Sequence, residues 1–516
     1  SHKWLILLSF LLVNVCAYNV LVVFPYPGKS HSILGEGYVK LLLEAGHHVT
    51  YITPFLMEPH PKLRQIDVSS NKEGFALEPA LDFRKMLDND VDLTDMGVMY
   101  AIMQDIANKS ITHPNVQKLM LDSKEQFDVA IVEWLYSDLY SGFSTAFDCP
   151  FIWSSSIEPH AMILRLIDDI PNTAYTPDFM APVIPPLSFI ERFDELWRIF
   201  DLTYKRWLLA EDEEAIYTKG YGPAVAERGR QLPPYEEVKY NGSMVLGNSH
   251  VSSGLPIRLP QNYIPIAGYH ISHTVQPLPE DMQKLMDNSP HGVIYFSMGS
   301  MMKSKTMPEE LKREFLDMFS GLKQTVIWKL EENLPNLPKN VHIVQWAPQQ
   351  SILAHPNCVL FITHGGLLSI TEALHFEVPI IGIPLFADQF INIKRAVKKG
   401  FALQVNIGYD TPAKLKNAIQ EFLGNSTYQE KINELSLVYH DRPVRPGQEL
   451  VHWIEHVAKT QGALHLRSPA LTTPWYQKLY LDLLTVILLV VIYIFRFVKR
   501  NMSVVFGKKN RKLKKK

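Results

Sequence analysis

The sequence predicts an α/β protein of two doubly wound halves facing a cleft, followed by one C-terminal transmembrane helix. Three observations predict it. A β-α-β pattern opens the chain after an apolar leader, a second strand-helix alternation restarts near His291, and an apolar run near the end stops at a cluster of cations.

The leader, SHKWLILLSFLLVNVCA, has one lysine, an apolar run from Trp4 to Val13, and short residues at Val15 and Ala17. This is the pattern of a secretory signal peptide over residues 1–17. Asn19 to Phe24 then reads as a buried strand, Pro25 to Ser30 as a loop, His31 to Glu44 as a helix ending at Gly46, and His48 to Ile52 as a second strand. Such a unit predicts parallel pairing through a right-handed crossover. Val129 to Val132 and Phe151 to Trp153 are the next strands, completing a first half over residues 18–272.

Residues 273–279 contain two prolines and little helix or strand signal, and read as a linker. The second half, 280–470, restarts with the strand in HGVIYFSMGS, which ends at Ser297 and a Gly299-Ser300 turn. A helix at Pro308 to Phe319 and strands at Thr325 to Lys329 and His342 to Val344 follow. In open sheets of this kind ligands sit beyond the carboxyl ends of the strands.

The run Leu479 to Phe495 is apolar except for Asp482. With flanking residues it gives the ~20 needed to cross a bilayer, so the span is placed at 475–496. Trp475, Tyr476 and Lys478 form an interfacial belt, and Arg496, Lys499 and Arg500 mark the far side as cytosolic. The tail at 497–516 is strongly basic: from Arg496 to Lys516 there are ten Lys or Arg and no acid. Lysines at the third and fifth positions from the end resemble an endoplasmic-reticulum retrieval signal. The expected topology is a single-pass membrane protein with its globular part lumenal.

The 516 residues are 47% hydrophobic and 20% charged, with a net charge of −2, a globular composition that singles out no nucleic-acid partner. On the lumenal side Asn108, Asn241 and Asn425 head glycosylation triplets. Cys149 and Cys358 adjoin apolar runs and read as buried free thiols.

Most of the chemistry lies between Trp346 and Gln389. Val359 to Thr363 is a β-branched run of strand length that stops at His364-Gly365-Gly366, and a helical pattern follows from Leu367 to Phe376. A strand-to-helix turn of this type presents unpaired N–H groups and the positive end of a helix dipole to an anion. Gly366 admits close approach of a phosphate, His364 and Ser369 supply donors, and Glu372, one turn beyond Ser369, can hold a ribose diol. A second buried strand, expected over Val378 to Leu385, leads to Asp388-Gln389, suited to sugar hydroxyls, and Trp346 offers a flat ring to a base.

Trp346, Gln349, His364, Gly366, Ser369, Glu372, Asp388 and Gln389 stand in the order and spacing of the UDP-glycosyltransferase signature. The chain resembles the animal UDP-glucuronosyltransferases, insect-type members in particular. The resemblance covers nearly the whole chain and implies two Rossmann-like domains of the GT-B type. It further implies that Trp346 stacks on uracil with Gln349 near the uridine, His364 and Ser369 contact the diphosphate, Glu372 holds the ribose, and Asp388 and Gln389 hold the sugar. Ser297, Gly299 and Ser300 join the donor-binding set. One position departs: Leu368 stands where many relatives carry Asn.

Transfer also needs a base. His31, after the first strand and at the start of the first helix, faces the expected cleft, and a helix N-terminus favours the neutral ring that abstracts a proton. The spacing from Pro25 through His31 to Gly46-His47-His48-Val49-Thr50 resembles the family's catalytic-histidine segment. Alignment on Phe127-Asp128-Val129 implies Glu133 as the carboxylate partner, where relatives often carry Asp, with Asp138 as its backup. The resemblance implies inverting displacement with the dipole ends and His364 stabilising the leaving group, so the reading needs no metal and no cofactor; the UDP-sugar is a co-substrate. Asp90-Val91-Asp92, an Asp-x-Asp triplet, reads as a solvated loop rather than a metal site.

The expected function is transfer of glucose or glucuronic acid from UDP to small lipophilic acceptors, of the detoxification type. A dedicated lipid or hormone acceptor, and a catalytically silent binder, are the alternatives. Expected partners are UDP-glucose or UDP-glucuronic acid, the acceptor and the bilayer; homo- or hetero-association is left open. MGVMYAIMQ and FIERFDELWRIFDLTYKRWLL read first as packed core helices and second as the walls of an apolar pocket near the bilayer.

Overall fold

Two parallel sheets organise the chain. The computed structural model describes residues 17–73, 82–88, 96–181, 183–300 and 306–513, with side chains through residue 502. The leader through residue 16 and the Asp90-Val91-Asp92 triplet lie outside the described residues. The chain divides after Leu466 into two compact units.

The first sheet contains β1 (Asn19–Val23), β2 (His48–Thr53), β3 (Leu63–Asp67), β4 (Val129–Trp134), β5 (Phe151–Ser155), β6 (Val245–Gly247) and β7 (Tyr263–Pro265). Their order is β3-β2-β1-β4-β5-β6-β7. The second contains β8 (Val293–Ser297), β9 (Thr325–Lys329), β10 (Val341–Val344), β11 (Cys358–Thr363), β12 (Ile380–Gly382) and β13 (Ala402–Gln404), in the order β10-β9-β8-β11-β12-β13. Each order reverses once, between β1 and β4 and between β8 and β11. At such a switch point the loops after neighbouring strands diverge to opposite faces and leave a crevice.

Helices cover both faces of the first sheet, which is why its strands read as unbroken apolar runs. Val20 and Val22 pack on one face with Leu34, Tyr38 and Leu42 of α1 (Lys29–Glu44), while Leu21 and Val23 face the other with Met103 and Ile106 of α2 (Met96–Ile111). The longest helix of the first compact unit is α3 (Phe189–Glu227), started by a capping box in which Ser188 and Glu191 satisfy each other's backbone N–H. In the second half, α4 (Gln349–Leu353), α5 (Leu367–His375) and α6 (Gln389–Lys399) carry the site residues.

Several boundaries differ from the sequence reading. The strand expected over Val378 to Leu385 shortens to Ile380–Gly382 because Pro379 and Pro384, which lack N–H donors, bracket it. Residues 273–279 are irregular, as their prolines predict. The last α-helix of the first compact unit, α7 (Pro446–Lys459), lies within the 280–470 stretch expected to form the second half, yet its Leu450, Ile454 and Val457 are fully buried in the core of the first. Burying each such side chain stabilises the fold by about 1.5–3 kcal/mol. Cys149 and Cys358 are free and buried. Asn241 and Asn425 are exposed, whereas Asn108 is half-buried on α2 with the Ser110 of its triplet buried against Asn71.

The second compact unit holds a helix, Leu481–Leu513, in which Leu481–Met502 is long and apolar enough to cross a membrane, with a mean hydropathy of 2.5.

Candidate active site

Glu133 lies near the end of β4 and His31 at the start of the helix that follows β1, the two strands that flank the first switch point. β1 runs to Val23, and α1 begins at Lys29, two residues before the start expected from sequence, so His31 occupies the first turn of the helix. β4 pairs with β1 up to Val132 opposite Val23, which brings the next residue, Glu133, to the level of the loop that leads into α1. The Glu133 carboxylate Oε1 meets His31 Nδ1. Glu133 is 1% exposed, and a carboxylate buried that deeply requires a partner. The Tyr26 ring stands edge-on to the imidazole at 4.6 Å and fixes its plane. With Nδ1 donating to Glu133, Nε2 is left as the acceptor.

Asp138 is not a backup partner. Its carboxylate binds Arg165 and Arg206 and accepts from Trp134 Nε1 at 2.8 Å. Burial alone would raise its pKa, but Arg165, Arg206 and Lys239 together hold it well below the usual carboxylate range. The half-turn that follows β4 turns Asp138 inward, under α2 and α3, which is why proximity in sequence to Glu133 misleads.

At the second switch point, Ser297 ends β8 and His364-Gly365-Gly366 follows β11. The His364 ring lies between two glycines: a Cβ on Gly299 would come within 2.8 Å of it, and one on Gly366 within 2.6 Å of its Nε2. Gly299 also has φ +81°, a left-handed conformation that side chains rarely adopt. Desolvation, with help from the Lys329 cation, pushes His364 down to about 4, so the ring is neutral near pH 7 and offers one N–H. Gly366 is the N-cap of α5, whose first amides and dipole point toward the same space. Lys329, at the end of β9, donates to the Gly299 carbonyl at 2.6 Å and stands 5.4 Å from the Trp346 ring centre.

Trp346 is 60% exposed, an apolar ring left uncovered at the wall of a cavity. Behind it, Gln349 donates to Glu372 at 2.6 Å and to Ser369 at 3.4 Å, and accepts from Tyr295 at 3.3 Å. Gln350 donates to the other Glu372 oxygen at 3.1 Å, and His270 Nε2 lies 3.3 Å from that oxygen. Glu372 is therefore held in one orientation by two amide donors, one on each oxygen.

Asp388 stands at the N-terminal boundary of α6, without a capping hydrogen bond from its side chain, next to Ala387, whose φ of +55° is strained for a non-glycine residue. Burial raises the Asp388 pKa, against hydrogen bonding from Asn392 and the influence of His31 across the cleft. Asn392 also donates to the Gly365 carbonyl at 3.2 Å, tying the sugar-side carboxylate to the phosphate-side turn. The Gln389 carbonyl accepts from the Leu385 and Phe386 amides, so its NH₂ group is what remains to meet a hydroxyl. Leu368 lines the cavity and packs against the core of the first half.

One cavity of about 1500 Å³ joins these parts. Ser297, Gly299, Ser300, Trp346, Gln349, His364, Gly366, Ser369, Glu372, Asp388 and Gln389 all line it, and so does His31. Glu133 lies behind His31, out of the lining. The first half adds Tyr26, Met99, Met103, Leu135, Ile157 and Phe179, an apolar wall. Sequence reading missed Lys329, His270 and Asn392. Asn392 carried a readable signal, its spacing of four from Asp388 on a helix; Lys329 and His270 enter only through tertiary packing.

Two open parallel sheets with a cavity of about 1500 Å³ between their switch points have the architecture of the GT-B glycosyltransferases. Solved structures agree on the fold: the glycotransferase of kitacinnamycin superposes with a TM-score of 0.55 at 16% identity, covering 85% of this chain and 100% of that one. A UDP-glucosyltransferase from Polygonum tinctorium capable of glucosylating indoxyl gives 0.54 at 16% identity, covering 86% and 98%. By sequence, residues 90–516 match the family described as UDP-glucoronosyl and UDP-glucosyl transferase. UDP-glucosyltransferase 2 of Dactylopius coccus is 32% identical over 94% of this chain and 92% of its own, and human UDP-glucuronosyltransferase 2B7 is 29% identical over 81% and 78%. The chain belongs to the UDP-glucuronosyl and UDP-glucosyl transferase family.

Proposed function

We propose that the enzyme moves a hexosyl or hexuronosyl group from UDP to a hydroxyl of a small lipophilic acceptor, with inversion at the anomeric carbon. The observation that carries this reading is the single cavity in which His31, oriented by Glu133, faces the donor-side residues from Ser297 to Gln389.

In this reading uracil stacks on Trp346, Glu372 accepts from the ribose diol, and the diphosphate lies on the α5 amides, His364 and Ser369. The acceptor rests against Met99, Met103, Ile157 and Phe179, with its hydroxyl at His31 Nε2. His31 takes the hydroxyl proton as the acceptor oxygen attacks the anomeric carbon from the face opposite UDP. The bond from that carbon to the diphosphate oxygen breaks, and the electron pair leaves on UDP, where fixed N–H donors stabilise the charge. Glu133 stabilises the imidazolium that forms. General-base assistance of this kind is worth ~10²–10⁴ in rate.

The insect and human relatives bear glucosyl- and glucuronosyltransferase names, and in this reading Asp388 and Gln389 bind the hydroxyls that both sugars share. A leader at residues 1–17, an apolar helix at Leu481–Met502 and a basic tail support lumenal placement on the endoplasmic-reticulum membrane. The test is a donor screen in membranes, comparing UDP-glucose with UDP-glucuronic acid on a panel of phenols, with His31→Ala alongside. Turnover by the wild type and its loss in the variant is the expected result. Tight UDP binding without turnover of either donor would favour a silent binding protein instead.

A further inference from the structure

The chain turns back on itself at the end of α7. Leu450, Ile454 and Val457 bury one side of that helix, and at 100° per residue His452 and His456 fall on the opposite side, one turn apart. Beyond Thr460 three consecutive residues take left-handed backbone: Gln461 at φ +52°, Gly462 at +111° and Ala463 at +48°. Side chains rarely adopt that conformation, and here it is held by its surroundings. The Gly462 amide donates to the Val457 carbonyl at 2.9 Å, the Ala463 amide donates to Thr460 Oγ1 at 3.1 Å, and Ala463 is buried in the core of the first half. The reversal carries the short turn Leu464–Leu466 back along the helix and brings His465 to His456.

The two Nε2 atoms are 3.1 Å apart, with ring centres at 5.1 Å and ring planes at 86°. His452 stands beside them, its ring centre 6.2 Å from that of His456. Among the described residues no three such groups already meet at one point; two are in place here and the third lies one helical turn away. Two imidazole nitrogens bound to one tetrahedral ion at ~2.0–2.1 Å stand ~3.3 Å apart, close to the spacing between His456 and His465. His452 and His465 are exposed and His456 is half-buried, so an ion reaches all three from solvent. Partial burial, with His465, His452 and Lys459 nearby, lowers the pKa of His456 and favours the neutral ring that binds a metal. Glu455, between the two helical histidines, is turned instead to the buried His47, at 3.0 Å.

We propose that His452, His456 and His465 form a binding site for one divalent transition-metal ion, with Zn²⁺ the expected occupant. His452 joins the other two by a change of rotamer, and water fills the fourth position. An all-imidazole set suits Zn²⁺ and its neighbours in the series, and gives Mg²⁺ or Ca²⁺, which take oxygen ligands, nothing to hold. None of the three residues lines the cavity, so the ion takes no part in sugar transfer. It acts on the fold. Two ligands come from α7 and one from the turn that closes the first compact unit at Leu466, so the bound ion staples the end of that unit to its last α-helix.

The full chain, purified in detergent without a histidine tag and stripped with EDTA, tests this by competition for Zn²⁺ with a chromogenic chelator. The wild type should take up one equivalent of zinc more than His456→Ala/His465→Ala, and His452→Ala should hold that equivalent about tenfold less tightly. The remaining histidines are common to wild type and double variant, so their weak binding cancels in the comparison. Saturating zinc should raise the Tm of the wild type above its value in EDTA by more than it raises that of the double variant. Should the alanine pair melt lower than the wild type in EDTA, His456→Gln/His465→Gln, which keeps polar side chains at both positions, gives the same comparison. Equal zinc uptake by the wild type and the double variant overturns the proposal and leaves the 3.1 Å contact as a hydrogen bond between two neutral rings. Undiminished affinity in His452→Ala overturns the three-ligand set.

Discussion

His31 and Glu133 are 102 residues apart in sequence and meet across the first switch point, Nδ1 to Oε1. The buried carboxylate sets which nitrogen of the ring carries the proton and holds the other toward the cavity. Glu133→Gln preserves shape but accepts less strongly and no longer stabilises an imidazolium. Its kcat should fall by ~10²-fold or more while the donor KM stays within about threefold. Initial rates over a donor series check this, and an unchanged kcat would mean that the pair is structural.

Gly366→Ala isolates the placement of His364. The residue has φ −61°, so alanine adds no backbone strain, yet its Cβ would lie 2.6 Å from the imidazole Nε2. The ring must move away from the α5 N-terminus. Donor KM should rise about tenfold, equivalent to ~1.4 kcal/mol, with little change in Tm. A loss of Tm with donor affinity intact would show that the close contact serves folding only.

Glu372 orients two amides as well as offering its own oxygens. In Glu372→Ala, Gln349 and Gln350 lose their acceptor, and Ser369 becomes the nearest partner for Gln349. An unpaired buried donor costs ~1–3 kcal/mol, so UDP affinity measured by calorimetry should weaken about tenfold or more. Unaltered affinity would remove Glu372 from the nucleotide site.

The fold was legible because both sheets are parallel and buried, which leaves apolar runs such as Val20 to Val23 and Leu360 to Ile362 between loop signals. The donor residues were legible because one short block carries them and its turn chemistry is local. What sequence concealed depended on three-dimensional return of the chain. α7 crosses to the first half, Asp138 turns under α2 and α3 to meet two arginines, and α3 (FIERFDELWRIFDLTYKRWLL), read first as a packed core helix, leaves Phe193, Trp197, Phe200 and Trp207 exposed while it buries Glu195, Ile199 and Leu202. In each case the local pattern is ordinary, and only the identity of the neighbouring surface decides its meaning.

Glu158, beside the cavity residue Ile157, provides a pH-dependent test of how the cleft is packed. Burial raises its pKa from 4.5 to about 7, against the pull of Arg395 and Lys399 on α6. Between those two values the folded chain keeps a proton that the unfolded chain has released. Stability therefore falls as pH rises through this window, and the penalty is complete above the folded value. At pH 5 the neutral carboxyl and a glutamine are near equivalents, so Glu158→Gln should unfold at close to the wild-type Tm. At pH 8 only the wild type carries the buried charge, and the variant should be the more stable by on the order of 2 kcal/mol. Thermal unfolding of both proteins in detergent at the two pH values checks the sign. A difference that is the same at pH 5 and pH 8 would show that Arg395 and Lys399 already neutralise the carboxylate in full.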